Sequence, residues 1–290
     1  MPKGTCSGYQ NSWKNFNKFC LAVDLPQTAL NFPLAHCTVV MFVAYMYQEG
    51  FKAETIRSHL SAIAYSHKLQ GFPSPTDSFL IKKLIKGAGA QSPGGDVRFP
   101  VTISILQRLI KNVHKVVSCV YDRSLYRAIF ATAFFAFLRC GEFTATQHNL
   151  NLDQSSISPD QSFATVTFTS FKHSEPGSKF TVKMAAKPAE LYCPVKRLQD
   201  YLAVRGQRPG PLFCKVNLSP ISRSEFSHNL SSCLKALGLS TVHYKGHSFR
   251  IGAATHAMLL GKSDSEIQLL GRWKSAALKK YLRVAALNSL

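Results

Sequence analysis

From His247 to Arg283 the chain reads HSFRIGAATHAMLLGKSDSEIQLLGRWKSAALKKYLR. His247 and Arg250 stand three residues apart, so on a helix they share a face. A proton-transfer group beside a fixed cation suits a pentacoordinate phosphate, which carries negative charge and needs donors held in place. Tyr281 adds a phenol oxygen able to attack phosphorus and form a covalent link. Cations on the protein would neutralise the phosphate, so neither metal nor cofactor is expected.

The composition favours a polyanionic partner. The 290 residues carry 35 Lys and Arg against 15 Asp and Glu, a formal net charge of +20. No basic amphipathic terminal helix or lipidation signal points to a membrane surface, so the excess reads as a footprint for nucleic acid. Residues 1–95 hold nine Lys or Arg against four Asp or Glu, a net of +5, and the remainder is +15. Both parts are therefore expected to touch DNA. Hydrophobic residues make up 46%, enough for a packed core. The eight cysteines include no CxxC pair and no zinc spacing. Without a signal peptide they read as reduced thiols, so an intracellular protein is expected. The longest apolar run, Ala128 to Leu138, is half of what a bilayer requires.

Two domains are expected, 1–92 and 93–290. The first reads as a bundle of short helices: Asn11 to Val23, Phe32 to Gln48, Ala53 to Leu69 and Ser78 to Lys86. The last of these presents Lys82, Lys83 and Lys86 as DNA contacts. Gly87 to Gly95 has linker composition.

The second domain opens with an amphipathic helix, Thr102 to Val117. The apolar helix Ser124 to Leu138 reads as buried on all sides, with Arg139-Cys140-Gly141-Glu142 directly after it. A buried arginine needs a partner. Arg139 either pairs with Glu142 or caps the preceding helix, or it is aimed at a phosphate with Glu142 supporting it from behind. Phe163 to Ser170 and Lys179 to Met184 alternate apolar and polar residues across a turn, a β-hairpin with Lys172 just past its first strand. Helices follow over Pro194 to Val204 and Ser222 to Leu237, with a short strand at Leu212 to Cys214 between them. The turn His243 to Gly246 delivers His247 to a helix start, where the helix dipole favours an anion. Ser263 to Glu266 is a capping box opening the helix that ends at Gly271.

His247-x-x-Arg250, then Leu270-Gly271-Arg272-Trp273 and Tyr281, resembles the C-terminal signature of the tyrosine recombinase, or phage integrase, family. Leu138-Arg139-x-Gly141-Glu142 resembles its first arginine motif, and Glu54 to Ile63 resembles its core-binding helix, which brings in Arg57 and His59 as DNA contacts. Gly-Arg-Trp with Tyr-Leu-Arg after it is most similar to recombinases of eukaryotic mobile elements, the DIRS and Crypton kind, which would imply a nuclear location.

The resemblance implies a mainly α fold with a small β-hairpin or sheet. A helical, SAM-like core-binding domain would precede an α+β catalytic domain, the two closing around double-stranded DNA as a C-shaped clamp. It implies site-specific cleavage and rejoining of DNA through a 3′-phosphotyrosyl intermediate on Tyr281. Arg139 and Arg250 would hold the non-bridging oxygens, and Lys172 would be general acid, with Lys179 as the fallback. His247 would assist proton movement or donate to phosphate. Trp273 would fill the family's His-or-Trp position through its indole N–H. In the family that position lies nine residues before the tyrosine, where this chain has Arg272, and Trp273 lies eight before. Either the loop is shortened by one residue, or Arg272 faces the DNA and Trp273 packs in the core. A homotetramer on DNA is implied, with a monomer in solution. A nicking-closing topoisomerase and a catalytically silent, domesticated DNA-binding protein are the competing readings.

Overall fold

The computed structural model describes residues 3–91, 96–144, 152, 157–159, 162–168, 177–273, 278 and 281–282. The chain divides into two compact units, Met1–Gly95 and Asp96–Leu290.

The first unit is built on α1 (Lys3–Ala22), α2 (His36–Gln48), α3 (Ala53–Leu69) and α4 (Phe79–Gln91). Each helix lends an apolar stripe to one core: Phe16 and Phe19, then Val39, Phe42 and Met46, then Ile56, Leu60 and Ile63, then Ile81 and Ile85. Phe16 meets Phe42 edge-on with centroids 5.1 Å apart. His59 belongs to this stripe and not to the DNA face expected of it. It is buried between the edges of Phe42 and Phe51, and burial lowers its pKa. The physical reason is periodic: position 59 falls between Ile56 and Ile63 on the inward side of α3. Arg57 is exposed and pairs with Glu54, and Lys82, Lys83 and Lys86 are exposed on α4. The expected linker starts later than Gly87, because α4 runs on to Gln91. The helical glycines there cost about 1 kcal/mol each relative to alanine. Burial of Ala88, and the approach of Gly89 to Ala53, favour the extra turn.

In the second unit, α5 (Ile103–Asn112) starts at the N-cap Thr102, whose hydroxyl accepts from the Ile105 amide at 3.2 Å. It packs on α6 (Val120–Phe135), which is buried from Ala128 to Phe134, as its continuous apolar run requires. The helix stops three residues short of the expected Leu138. Phe137 takes a positive φ of 52°, and Arg139 is extended. Arg139 is therefore not the last residue of the buried helix but the N-cap of a new one-turn helix, α7 (Cys140–Phe143).

β1 (Ile157–Pro159), β2 (Phe163–Phe168) and β3 (Phe180–Ala185) form an antiparallel sheet in that order. The hairpin pairs Phe163 with Ala185 and Phe168 with Phe180, and β2 buries Ala164, Val166 and Phe168. The strand expected at Leu212 to Cys214 is reduced to a single bridge between Cys214 and Pro220.

Then come α8 (Pro194–Arg205), α9 (Arg223–Ala236), α10 (Ser248–Leu259) and α11 (Asp264–Gly271). Both α9 and α11 start with capping boxes, Ser222 with Glu225 and Ser263 with Glu266. Among the described residues no two cysteines form a disulfide. Among the described residues no helix is long and apolar enough to cross a membrane.

Candidate active site

The site lies where α7, the start of α10 and the end of α11 meet. Arg139 holds its place through Glu142, the third residue of α7. Its backbone N–H donates to Glu142 Oε2 at 2.8 Å, and its Nη1 donates to Glu142 Oε1 at 2.9 Å. Nη2 donates to the Arg272 carbonyl at 3.2 Å. The guanidinium retains some exposure, with 22% of the side chain open to solvent.

Glu142 is buried and serves a second arginine: Arg272 Nη2 donates to its Oε2 at 2.8 Å. Arg272 also donates to the carbonyls of Phe137 at 3.1 Å and Ala136 at 3.3 Å, and lies 3.9 Å over the Phe168 ring. It is thus a fastener between α7, α11 and the hairpin. This corrects the expectation that Arg272 contacts DNA: its charge is turned inward and spent on Glu142. The backbone explains the orientation. Arg272 is the left-handed C-cap of α11, with φ 53°, and that reversal throws Trp273 back over Gly271. A Cβ on Gly271 would lie 1.7 Å from the indole ring, so only glycine accommodates the fold-back.

Trp273 thereby reaches the site. Its ring lies 4.6 Å from the Tyr281 ring, centroid to centroid, and the Arg250 guanidinium sits 4.2 Å over it. The indole Nε1 is buried with no hydrogen-bond partner among the described residues. Arg250 extends from the first turn of α10 and is fully buried. Its Nη1 and Nη2 donate to the carbonyls of Phe137 and Gly271, while its Nε has no partner among the described residues. Among those residues no carboxylate pairs with it. Burial pulls its pKa down, and repulsion from Arg139 and Arg272 adds to that.

His247 is the N-cap of α10. Its ring lies 5.1 Å from that of Tyr281. Burial lowers its pKa to about 4, helped by Arg98, Arg250 and Arg139, so it is neutral at pH 7. The Tyr281 ring is also 5.7 Å from the Arg250 guanidinium, and its carbonyl accepts from Thr255 Oγ1 at 3.3 Å.

The structure therefore gathers Arg139, Glu142, His247, Arg250, Trp273 and Tyr281, residues up to 142 positions apart in sequence. Lys172 lies outside the described residues. Lys179 is exposed and immediately precedes Phe180, the strand partner of the Phe168 on which Arg272 rests. Arg98 is not a residue that the sequence singles out. Its charge adds to the burial that lowers the His247 pKa, yet it lies in a short connecting stretch without periodicity or motif. Among the described residues no group of three or more His, Cys, Asp or Glu is placed to hold a metal ion.

No protein-family model matches the chain, and no curated protein matches its sequence. Solved structures do match. The Tn1549 transposon integrase with transposon right end DNA is 15% identical, with a TM-score of 0.64, over 100% of this chain and 93% of that one. A lambda integrase dimer bound to a COC′ core site is 18% identical, with a TM-score of 0.63, over 98% of this chain and 89% of that one. The XerH site-specific recombinase bound to difH is 14% identical, with a TM-score of 0.61, over 95% of this chain and 75% of that one.

The fold is that of the tyrosine recombinases. All three of these neighbours hold DNA in their structures.

Proposed function

We propose that this chain is a site-specific DNA recombinase that cleaves and rejoins strands through Tyr281. One observation carries the reading furthest. A fully buried guanidinium, Arg250, has no carboxylate partner among the described residues and lies beside a phenol, an imidazole and an unpartnered indole N–H. Uncompensated buried cations are costly, and a site that concentrates them is suited to an anion. A phosphodiester supplies that anion, and the phenol supplies the nucleophile.

In this reaction the Tyr281 oxygen forms a bond to phosphorus while the bond from phosphorus to the 5′ oxygen breaks. The phenol releases its proton, and the 5′ oxygen leaves with the bonding electron pair and takes up a proton. Arg139 and Arg250 hold the non-bridging oxygens, with Arg250 exchanging its carbonyl partners for phosphate. Trp273 donates its indole N–H to the same group. His247 starts neutral, and a bound phosphate raises its pKa, so it can take up the phenol proton as the reaction proceeds. Lys172 protonates the leaving 5′ oxygen, with Lys179 as the alternative. Attack by a 5′-hydroxyl on the phosphotyrosyl reverses the sequence and seals a strand.

Arg57, Lys82, Lys83 and Lys86 of the first unit contact DNA phosphates. Strand exchange between two duplexes needs four cleavages, so a homotetramer on DNA is the working state. Gly271-Arg272-Trp273 and Tyr281-Leu282-Arg283 favour the recombinases of eukaryotic mobile elements, and with them a nuclear location. The test is covalent trapping on a pool of nicked suicide duplexes with randomised cores. Wild-type protein is expected to form a denaturant-resistant adduct, and Tyr281→Phe to bind DNA without forming one. Binding without an adduct in wild type would support a silent DNA-binding protein instead.

A further inference from the structure

We propose that Arg98 is an additional phosphate-binding residue of this site, occupied by Asp96 until DNA displaces that carboxylate. The inference rests on the recombinase reading and extends it to a residue outside the motifs that suggested it.

The placement of Arg98 is fixed by its neighbours. The Phe99 amide donates to the His243 carbonyl at 2.8 Å, and the Val101 amide donates to the Ser248 carbonyl at 3.0 Å. The Phe99 ring stacks on His243 with centroids 4.4 Å apart. Val101 rests directly on α10, where a Cβ on Gly252 would lie 1.9 Å from the Val101 carbonyl oxygen. These bonds lash the stretch Arg98 to Val101 along the turn that delivers His247. Gly252 is the residue that allows the close approach.

The guanidinium is paired within its own segment. Its Nε and Nη2 donate to Asp96 Oδ1 and Oδ2 at 2.6 and 2.8 Å, a bidentate fork that a phosphate group reproduces with its own oxygens. Both side chains are partly open to solvent, at 34% and 28%, so the exchange requires no unfolding. The bond to the Asp96 carboxylate is the main cause that raises the Arg98 pKa. The Arg98 charge also adds to the burial that lowers the His247 pKa. Tethered to residues on either side of His247, this partly exposed guanidinium is placed to share a phosphate at that end of the site. Arg139 and Arg272 share the Glu142 carboxylate and keep their fastening in the same exchange.

The experiment measures binding of a random-sequence 40-base-pair duplex across a salt series, together with adduct formation on the nicked pool. Arg98→Ala is expected to flatten the plot of log affinity against log salt by about one unit, the change produced when one fewer phosphate is neutralised. It should also slow adduct formation by about tenfold, with Arg98→Lys recovering part of the rate. Asp96→Asn is expected to tighten binding by severalfold. An unchanged salt slope in Arg98→Ala, with Asp96→Asn binding as wild type does, overturns the proposal. A wild type that forms no adduct overturns the recombinase reading instead, and leaves the salt slope to decide the role of Arg98. Melting temperatures of the variants separate a purely structural role, which would lower stability and leave the slope intact.

Discussion

Glu142 Oε2 lies 2.8 Å from Arg272 Nη2, with 8% of the carboxylate side chain and 1% of the arginine side chain exposed. Two residues 130 positions apart are joined by a buried charge pair, and the Arg139 guanidinium shares the same carboxylate. The pair fixes the end of α11 against the start of α7, and so sets where Arg139 and Trp273 sit. Removing one partner leaves an uncompensated buried charge. Arg272→Ala and Glu142→Ala are each expected to lower unfolding free energy by about 3 kcal/mol. Urea denaturation of the two single variants and the double variant checks this. The double variant should lose less than the sum, because the two residues form one interaction.

Gly271→Ala addresses the fold-back of Trp273. The added methyl would meet the indole ring at 1.7 Å, so the ring must leave its place over Arg250. Overpacking of this kind typically costs about 1–3 kcal/mol. The more specific outcome is a red-shifted emission as the half-buried indole gains solvent. Trp13, the other tryptophan, lies in the first unit, so a Trp13→Phe background isolates the signal.

The pH dependence of stability follows from His247. Its folded pKa is lowered to about 4 from an ordinary value of 6.5. Between those values the unfolded chain binds a proton that the folded chain does not, so stability falls as pH drops below about 6.5. The contribution is fully present above that value and is lost as pH approaches about 4. His247→Gln is expected to remove part of the difference in urea midpoint between pH 7 and pH 5. An identical pH difference in variant and wild type would contradict the assignment.

Arg139→Ala is expected to lower the single-turnover cleavage rate about a hundred- to a thousandfold, the usual effect of losing one preorganised donor. Arg139→Lys should recover little, because an ammonium cannot reproduce the fork that holds both Glu142 and a phosphate oxygen. Rapid-quench measurement on the nicked duplex pool reads both values.

Much of this arrangement is legible in the sequence because its parts obey local rules. The capping box at Ser263, the period-2 hairpin and the buried run of α6 each follow from residue type and spacing. Three features are not legible for a common reason: they depend on neighbours remote in the chain. Arg272 reads as a surface cation beside Trp273, and only the Glu142 carboxylate from α7 turns it inward. His59 sits in a basic, polar-looking stretch, but the helical period places it against Phe42 and Phe51. Arg98 has no motif, and only the backbone bonds of Phe99 and Val101 to residues near position 245 bring it to the site. The eight-residue spacing from Trp273 to Tyr281 leaves two arrangements open; the left-handed turn at Arg272 brings the indole ring to 4.6 Å from the phenol ring while the Arg272 guanidinium pairs with Glu142.

The most direct measurement is the identity of the residue that carries DNA after cleavage. Protein incubated with the nicked duplex pool is denatured, digested with nuclease and protease, and mapped by mass spectrometry. The proposed cleavage through Tyr281 gives a nucleotide joined through its 3′-phosphate to the peptide containing Tyr281, and none from Tyr281→Phe. A nucleotide on any other residue, or an equal yield from Tyr281→Phe, would contradict it.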